Sequence, residues 1–175
     1  GKSARFRATA LREGGENASY SREFAFSKST GRPAVLNTKP NDSYTFEGAS
    51  LLVDGYHSRP VFTSGAWLGY LDEPLDVTID MGGEQSYRSV ELETLAEKGD
   101  CIFPPSSVTV WVSDNGTDFT EVASVTVPEA KAGDADGIGR YRMQFPETSA
   151  RYLKVVAQNA AAIPAWHPGA GSKGF

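Results

Sequence analysis

The sequence predicts an all-β fold, an antiparallel β-sandwich of the jelly-roll type, on three observations. Apolar and polar residues alternate in short runs, the period of a strand with one buried face. These runs are separated by clusters of Gly, Pro, Asn and Asp at spacings of about 8–20 residues. The apolar period of an amphipathic helix is nearly absent.

The elements follow in order. "ARFRATAL" (4–11) and "REFAFS" (22–27) read as two strands around the loop "REGGENASY". "GRPAVLN" is a third, and Pro33 puts it at a sheet edge or a strand start. "YTFEG" reads as a short extended piece, and "ASLLVDG" packs apolar residues and then turns. Over 75–81, Leu75, Val77, Ile79 and Met81 alternate with Asp76, Thr78 and Asp80. That is a half-buried strand, closed by a Gly82-Gly83 turn. The run 87–96 alternates over Val90 and Leu92. "SSVTVWVSDNGTDFTEVASVTV" is the clearest unit: Val108, Val110 and Val112 alternate with Thr109, Trp111 and Ser113 before an Asp114-Asn115-Gly116 turn. "PEAKAGDADGIG" is a loop, "GRYRMQFP" and "ARYLKVVAQ" are two more strands, and "NAAAIPAWHPGAGSKGF" is a Pro/Gly-rich tail.

At 175 residues, 39% hydrophobic and 22% charged, the chain has the composition of an ordinary soluble globular domain, with room for a fragment of a neighbour. Its net charge of −5 speaks against nucleic-acid binding, which needs a basic stripe. No apolar run reaches the length of a membrane-spanning helix, and no signal-peptide pattern is visible. The chain opens mid-pattern with "GKSARFRATAL" and reads as cut from something longer. Cys101 stands alone, so no internal disulfide forms, and it is expected as a small buried apolar side chain.

Catalytic patterns are missing from the sequence. His57 and His167 are the two histidines, which leaves no zinc-type spacing, and no G-x-S-x-G elbow exists. Asp72 and Glu73 are adjacent in a loop and do not flank a bond as a glycosidase pair does. Asp54-Gly55 follows an apolar run. It makes either an Asx turn or, with nearby carbonyls, part of a calcium site. Tyr56, His57, Arg59, Trp67 and Tyr70 gather polar and aromatic groups within fifteen residues. A sugar presents C–H faces that an aromatic ring covers and hydroxyls that Arg, His and carboxylates bind. Trp166-His167 repeats the mixture near the tail. Trp67 is either a ligand contact or a core plug, and Trp166, between two prolines, is a ligand contact or a loop plug. Trp111 covers a sheet or a neighbouring domain.

"LLVDG", "GAWLGYLDEPLDVTIDMGG", "FPPSSVTVWVSDNGTDFTEVAS" and "SARYLKVVAQN" occur in the order that marks the F5/8 type C, or discoidin, domain, and the chain resembles that family over about residues 28–175. The resemblance implies a jelly-roll sandwich whose end loops hold ligands, as in family 32 carbohydrate-binding modules. "FSKSTGRPAVLN", "GAWLGY" and "IPAWHPGAG" further resemble the C-terminal module of bacterial family 20 β-N-acetylhexosaminidases (chitobiases), of Bacteroides type. Residues 1–27 then look like the last strands of a preceding chitobiase C-terminal-type β-domain, or a linker. The implied function is a non-catalytic sugar-binding accessory module of a secreted, periplasmic or cell-surface glycosidase. Its implied partners are N-acetylglucosamine- or galactose-type sugars and the neighbouring domains of the parent enzyme. The expected sugar contacts are Trp67, Tyr70, His57, Arg59, Tyr56, Trp166 and His167, with Asp54 as a calcium ligand. The alternative is a structural or protein-contacting domain that binds no glycan. Family members close with a strand that holds an acidic residue near the calcium. This sequence stops at "GSKGF" without one.

Overall fold

The computed structural model describes residues 2–11, 14 and 18–174. Of the loop expected at 12–20, residues 12, 13 and 15–17 lie outside the described residues, and 18–20 belong to a strand instead. The fold is all-β, and among the described residues the helical elements are short 3-10 turns. Strands β1 (Lys2–Ala10) and β2 (Ala18–Phe26) form an antiparallel hairpin. Strands β3 (Ala34–Leu36), β4 (Leu75–Ala96), β5 (Ser107–Ser113), β6 (Thr120–Thr126) and β7 (Gly137–Gln158) form a sheet in the order β3-β4-β7-β5-β6. All its pairings are antiparallel, and β3 takes the edge that Pro33 suggests. No helix among the described residues is long and apolar enough to cross a membrane.

The sequence reading divides at Gly82-Gly83, but the backbone does not. β4 and β7 each run 22 residues and pair from Leu75↔Ala157 to Ala96↔Gly137, so four expected strands are two. The glycines form a bulge instead of a turn. Gly82 has φ +77 and donates its N–H to Asp80 Oδ1 at 2.8 Å, and the register jumps from Asp80↔Tyr152 to Gln85↔Ala150. A bulge bends a strand without ending it. Residues beyond the bend return to the same core: Tyr87, Met143 and Phe145 join Val77, Ile79, Met81, Val108, Val110 and Val155. Both halves of each long strand therefore bury alternate residues in one interior. The extended piece expected at "YTFEG" is instead a turn between 3-10 turns at Asp42–Tyr44 and Gly48–Leu52. Cys101 is half-buried at the end of another 3-10 turn, with φ +60, and not in the core.

Arg151 braces the bulge. Its Nε and Nη2 donate to Asp80 Oδ1 and Oδ2 at 2.9 and 2.8 Å. That bidentate pair, with the Gly82 N–H, holds the Asp80 carboxyl down at about 2. A depressed carboxyl stabilises the fold above its unfolded pKa of about 4, and the contribution fades as pH falls toward the folded value. Asp80→Asn is therefore expected to lower the melting temperature at neutral pH. The gap from the parent protein should close between about pH 4 and pH 2, followed by thermal melts across that range.

The β1–β2 hairpin is amphipathic. Ala4, Phe6, Ala8, Tyr20, Phe24 and Phe26 share one face; Ser3, Arg5, Arg7, Thr9, Ser19 and Ser21 share the other. Phe6 meets Phe24 edge-on at 5.6 Å, yet Phe6 remains 61% exposed and Tyr20 55%. Attachment to the body runs through β2. Ala25 N–H donates to Gly55 O at 2.8 Å, and Phe24 bridges Tyr56, ring against ring at 6.0 Å.

Candidate functional site

Two glycines shape the loops at this end. Gly55 turns with φ +75 while Asp54 Oδ1 accepts the Tyr56 N–H at 2.7 Å, an Asx turn that aims Tyr56 and His57 inward from the hairpin. Gly69 allows two loops to touch. A Cβ there would lie 2.9 Å from Tyr44 Cβ, and Gly69 exchanges backbone hydrogen bonds with Asn41 and Tyr44. The glycines around Trp67 and Tyr70 thus serve close loop packing.

The loops enclose a cavity of about 560 Å³. Tyr56, His57 and Trp67 line it, joined by Tyr44 and Phe62, whose rings meet at 6.2 Å. Leu52, Leu68 and Leu75 supply apolar surface. Glu91, Glu93 and Thr94 enter from β4, and Ala25 and Phe26 from the hairpin. Apolar walls with a few convergent polar groups are the usual form of a small-ligand site.

His57 Nδ1 lies 2.7 Å from Glu93 Oε1, which also accepts from Arg140 Nε at 2.6 Å. The pair with Glu93 raises the Arg140 guanidinium above its ordinary value, so this cation stays charged behind the carboxylate. Glu93 thus fixes the His57 ring and faces the same space. Trp67 Nε1 donates to Arg59 O at 2.9 Å, which ties the indole to its loop and leaves it part-buried in the wall.

The structure brings together Tyr56, His57, Trp67 and Tyr70, with Asp54 at the same lining. Their places differ. Tyr70 is 8% exposed and belongs to the core, so it forms the floor of the cavity, not a rim. Burial pushes its phenol up to about 12. Thr38 beside it is engaged by Pro74 O and the Asp76 N–H, and the Tyr70 hydroxyl finds no hydrogen-bond partner of good geometry among the described residues. Arg59 is exposed and joins the group through its backbone carbonyl. Trp166 and His167 stand apart from the lining. They pack on Phe103 at 6.3 and 5.5 Å, and Trp166 Nε1 donates to Ala130 O at 2.9 Å. His167 is part-buried there, whereas Trp166 remains 38% exposed.

Glu93, Tyr44 and Phe62 escaped the sequence reading. For Glu93 a signal existed: in 87–96 the apolar alternation falls on Val90 and Leu92, which turns Glu91 and Glu93 to the other face.

Around Asp54 the oxygens are largely engaged. Its Oδ1 holds the Asx turn, and the carbonyls of Val53 and Gly55 accept from Gly31 and Ala25 N–H groups. Among the described residues no three Asp, Glu, His or Cys side chains gather as metal ligands.

A bent, all-antiparallel sandwich with a loop-lined cavity at one end defines the class of discoidin-like β-sandwich domains. Within that class the chain belongs to the F5/8 type C domain family, whose model matches residues 36–172. Similar solved structures include chitosan-binding module 1 of a chitosanase/glucanase from Paenibacillus sp. IK-5 (19% identity, TM-score 0.51, covering 78% of this chain and 89% of that one). Module 2 of the same enzyme, solved with chitotriose, is 18% identical at TM-score 0.51, covering 78% and 91%. The C-terminal domain of a chitobiase from Bacteroides fragilis is 22% identical at TM-score 0.45, covering 83% and 89%. No curated protein matches the chain.

Proposed function

We propose that the chain is a non-catalytic carbohydrate-binding module of a bacterial glycosidase of the β-N-acetylhexosaminidase (chitobiase) type. The observation that carries this reading is the cavity in which Trp67 and Tyr56 stand beside the His57–Glu93–Arg140 chain. The rings offer apolar faces to a pyranose, and the charged chain offers fixed hydrogen-bonding groups to its hydroxyls. Family membership supports it, as do the Paenibacillus modules, which bind chitosan, one of them solved with chitotriose. The ligands on this reading are N-acetylglucosamine- or galactose-type sugars. Burying about 50 Å² of ring contributes roughly 1–1.5 kcal/mol. Each charge-assisted hydrogen bond adds about 1.5–3 kcal/mol before entropy costs. A dissociation constant from about millimolar to tens of micromolar follows. Such a site serves by tethering, raising the effective concentration of substrate near an attached catalytic domain. That enzyme works where polymeric glycans are met: secreted, periplasmic or on the cell surface.

In the same reading the sugar-binding domain spans residues 28–175. Residues 1–27 are the last strands of a preceding chitobiase C-terminal-type β-domain. The exposed apolar face of the hairpin supports that division, since two strands alone are marginally stable and need a covering layer. The same face favours a second reading, a bracing domain that contacts protein and binds no glycan. Chemical-shift titration with N-acetylglucosamine and galactose separates them. Shifts confined to residues around the cavity are expected, and no shift with either sugar at tens of millimolar rejects the glycan reading.

A structural calcium at Asp54 is tested by melting. A native-state ion raises the midpoint. With the Asp54 loop oxygens engaged as described, coincident curves with calcium and with chelator are expected, and a calcium-dependent rise would restore the ion to this loop.

A further inference from the structure

Phe46 stands where a glycine is expected. Gly48 N–H donates to Thr45 O at 2.7 Å, closing a turn in which Phe46 is the first central residue, with φ +37. Positive φ at that position defines the primed turns, and glycine supplies it without steric cost. For a bulky side chain it is an outlier that persists only when the surroundings enforce it. The usual compensation, burial of the ring, is incomplete: Phe46 is 46% exposed. One side of the ring leans on the loop. A Cβ on Gly65 would be 3.6 Å from Phe46 Cδ1, and the Tyr44 ring lies at 6.3 Å. Tyr44 also meets Phe62, and both line the cavity, whereas Phe46 does not. The aromatic series Phe62–Tyr44–Phe46 therefore continues the wall of the cavity outward to an exposed ring.

We infer that Phe46 is a stacking platform for a second sugar ring, so that the site takes a linear oligosaccharide with one residue in the cavity and the next across Phe46. This rests on the sugar-binding reading and adds the length of the ligand to it. A pyranose ring has the flat C–H face that such a platform covers. Covering about 50 Å² of ring corresponds to about eightfold in affinity.

The test is calorimetric titration of the parent protein, Phe46→Ala and Phe46→Gly with two pairs of ligands: N-acetylglucosamine against its β-1,4-linked trimer, and galactose against a β-linked galactose disaccharide. In whichever pair binds, the parent protein should prefer the longer ligand. Phe46→Ala should reduce that preference about eightfold and leave the monosaccharide constant unchanged. Phe46→Gly should show the same loss with a raised melting temperature, because glycine relieves the positive φ. An unchanged preference in Phe46→Ala overturns the inference while the sugar-binding reading stands. So does a lowered melting temperature in Phe46→Gly, which would assign the ring to packing. Absence of binding by the parent protein to all four ligands overturns both.

Discussion

Met81→Ala is expected to lower the unfolding free energy by about 2–5 kcal/mol, the range for truncating a fully buried long side chain. Met81 is 1% exposed and is the last inward residue of β4 before the Gly82 bulge. It belongs to the same core as Val108 and Val110, both wholly buried on β5, so its loss opens space where the bent ladder has least freedom to close it. The measurement is urea unfolding. A lower midpoint at unchanged slope identifies a loss of stability, not a change in the unfolded chain. Val35→Ala is the control: Val35 is 62% exposed on the edge strand β3 and should move stability by no more than about 0.5 kcal/mol. A Met81 effect no larger than that of Val35 would mean that the interior behind the bulge collapses freely.

Trp67→Ala is expected to weaken sugar binding about tenfold while the fold persists. The indole is part-buried in the cavity wall and outside the buried core, so its removal costs ligand surface before it costs core packing. A second loss is the Nε1 bond to Arg59 O that holds the ring edge in place. Trp67→Phe divides the two contributions, since it keeps an apolar face and discards the N–H. Its affinity should fall between those of the parent protein and Trp67→Ala. Unfolding of Trp67→Ala at ambient temperature, or binding equal to the parent protein, would each remove Trp67 from the sugar-contacting wall.

The fold was readable where local chemistry and global structure agree. In "SVTVWVSDNGTDFTEVASVTV", alternation marks β5 and β6, and Asn115-Gly116 marks the turn: Gly116 adopts φ +77 and Asn115 Oδ1 collects the Thr117 and Asp118 N–H groups. At Gly82-Gly83 the same signal misleads. A glycine pair supplies positive φ equally to a turn and to a bulge, and the distinction depends on the partner strand β7, some seventy residues away. The candidate site divides in the same manner. His57 and Trp67 lie within one short segment and were visible as a cluster. Glu93 meets His57 only because β4 passes beneath that loop, and Arg140 arrives from β7. Tyr70 shares the sequence neighbourhood of Trp67 but points into the core, which its residue type could not reveal. Trp166 and His167 have the right chemistry for a sugar, yet the prolines around them fold the tail onto Phe103.

The leading hairpin is also a wall of the cavity. Ala25 and Phe26 line it, and β2 is fastened to Gly55 and Tyr56 beside His57. The hairpin and the chamber therefore share contacts: a guest that fills the space meets Ala25 and Phe26, and the Ala25 N–H to Gly55 O bond fixes where that wall stands.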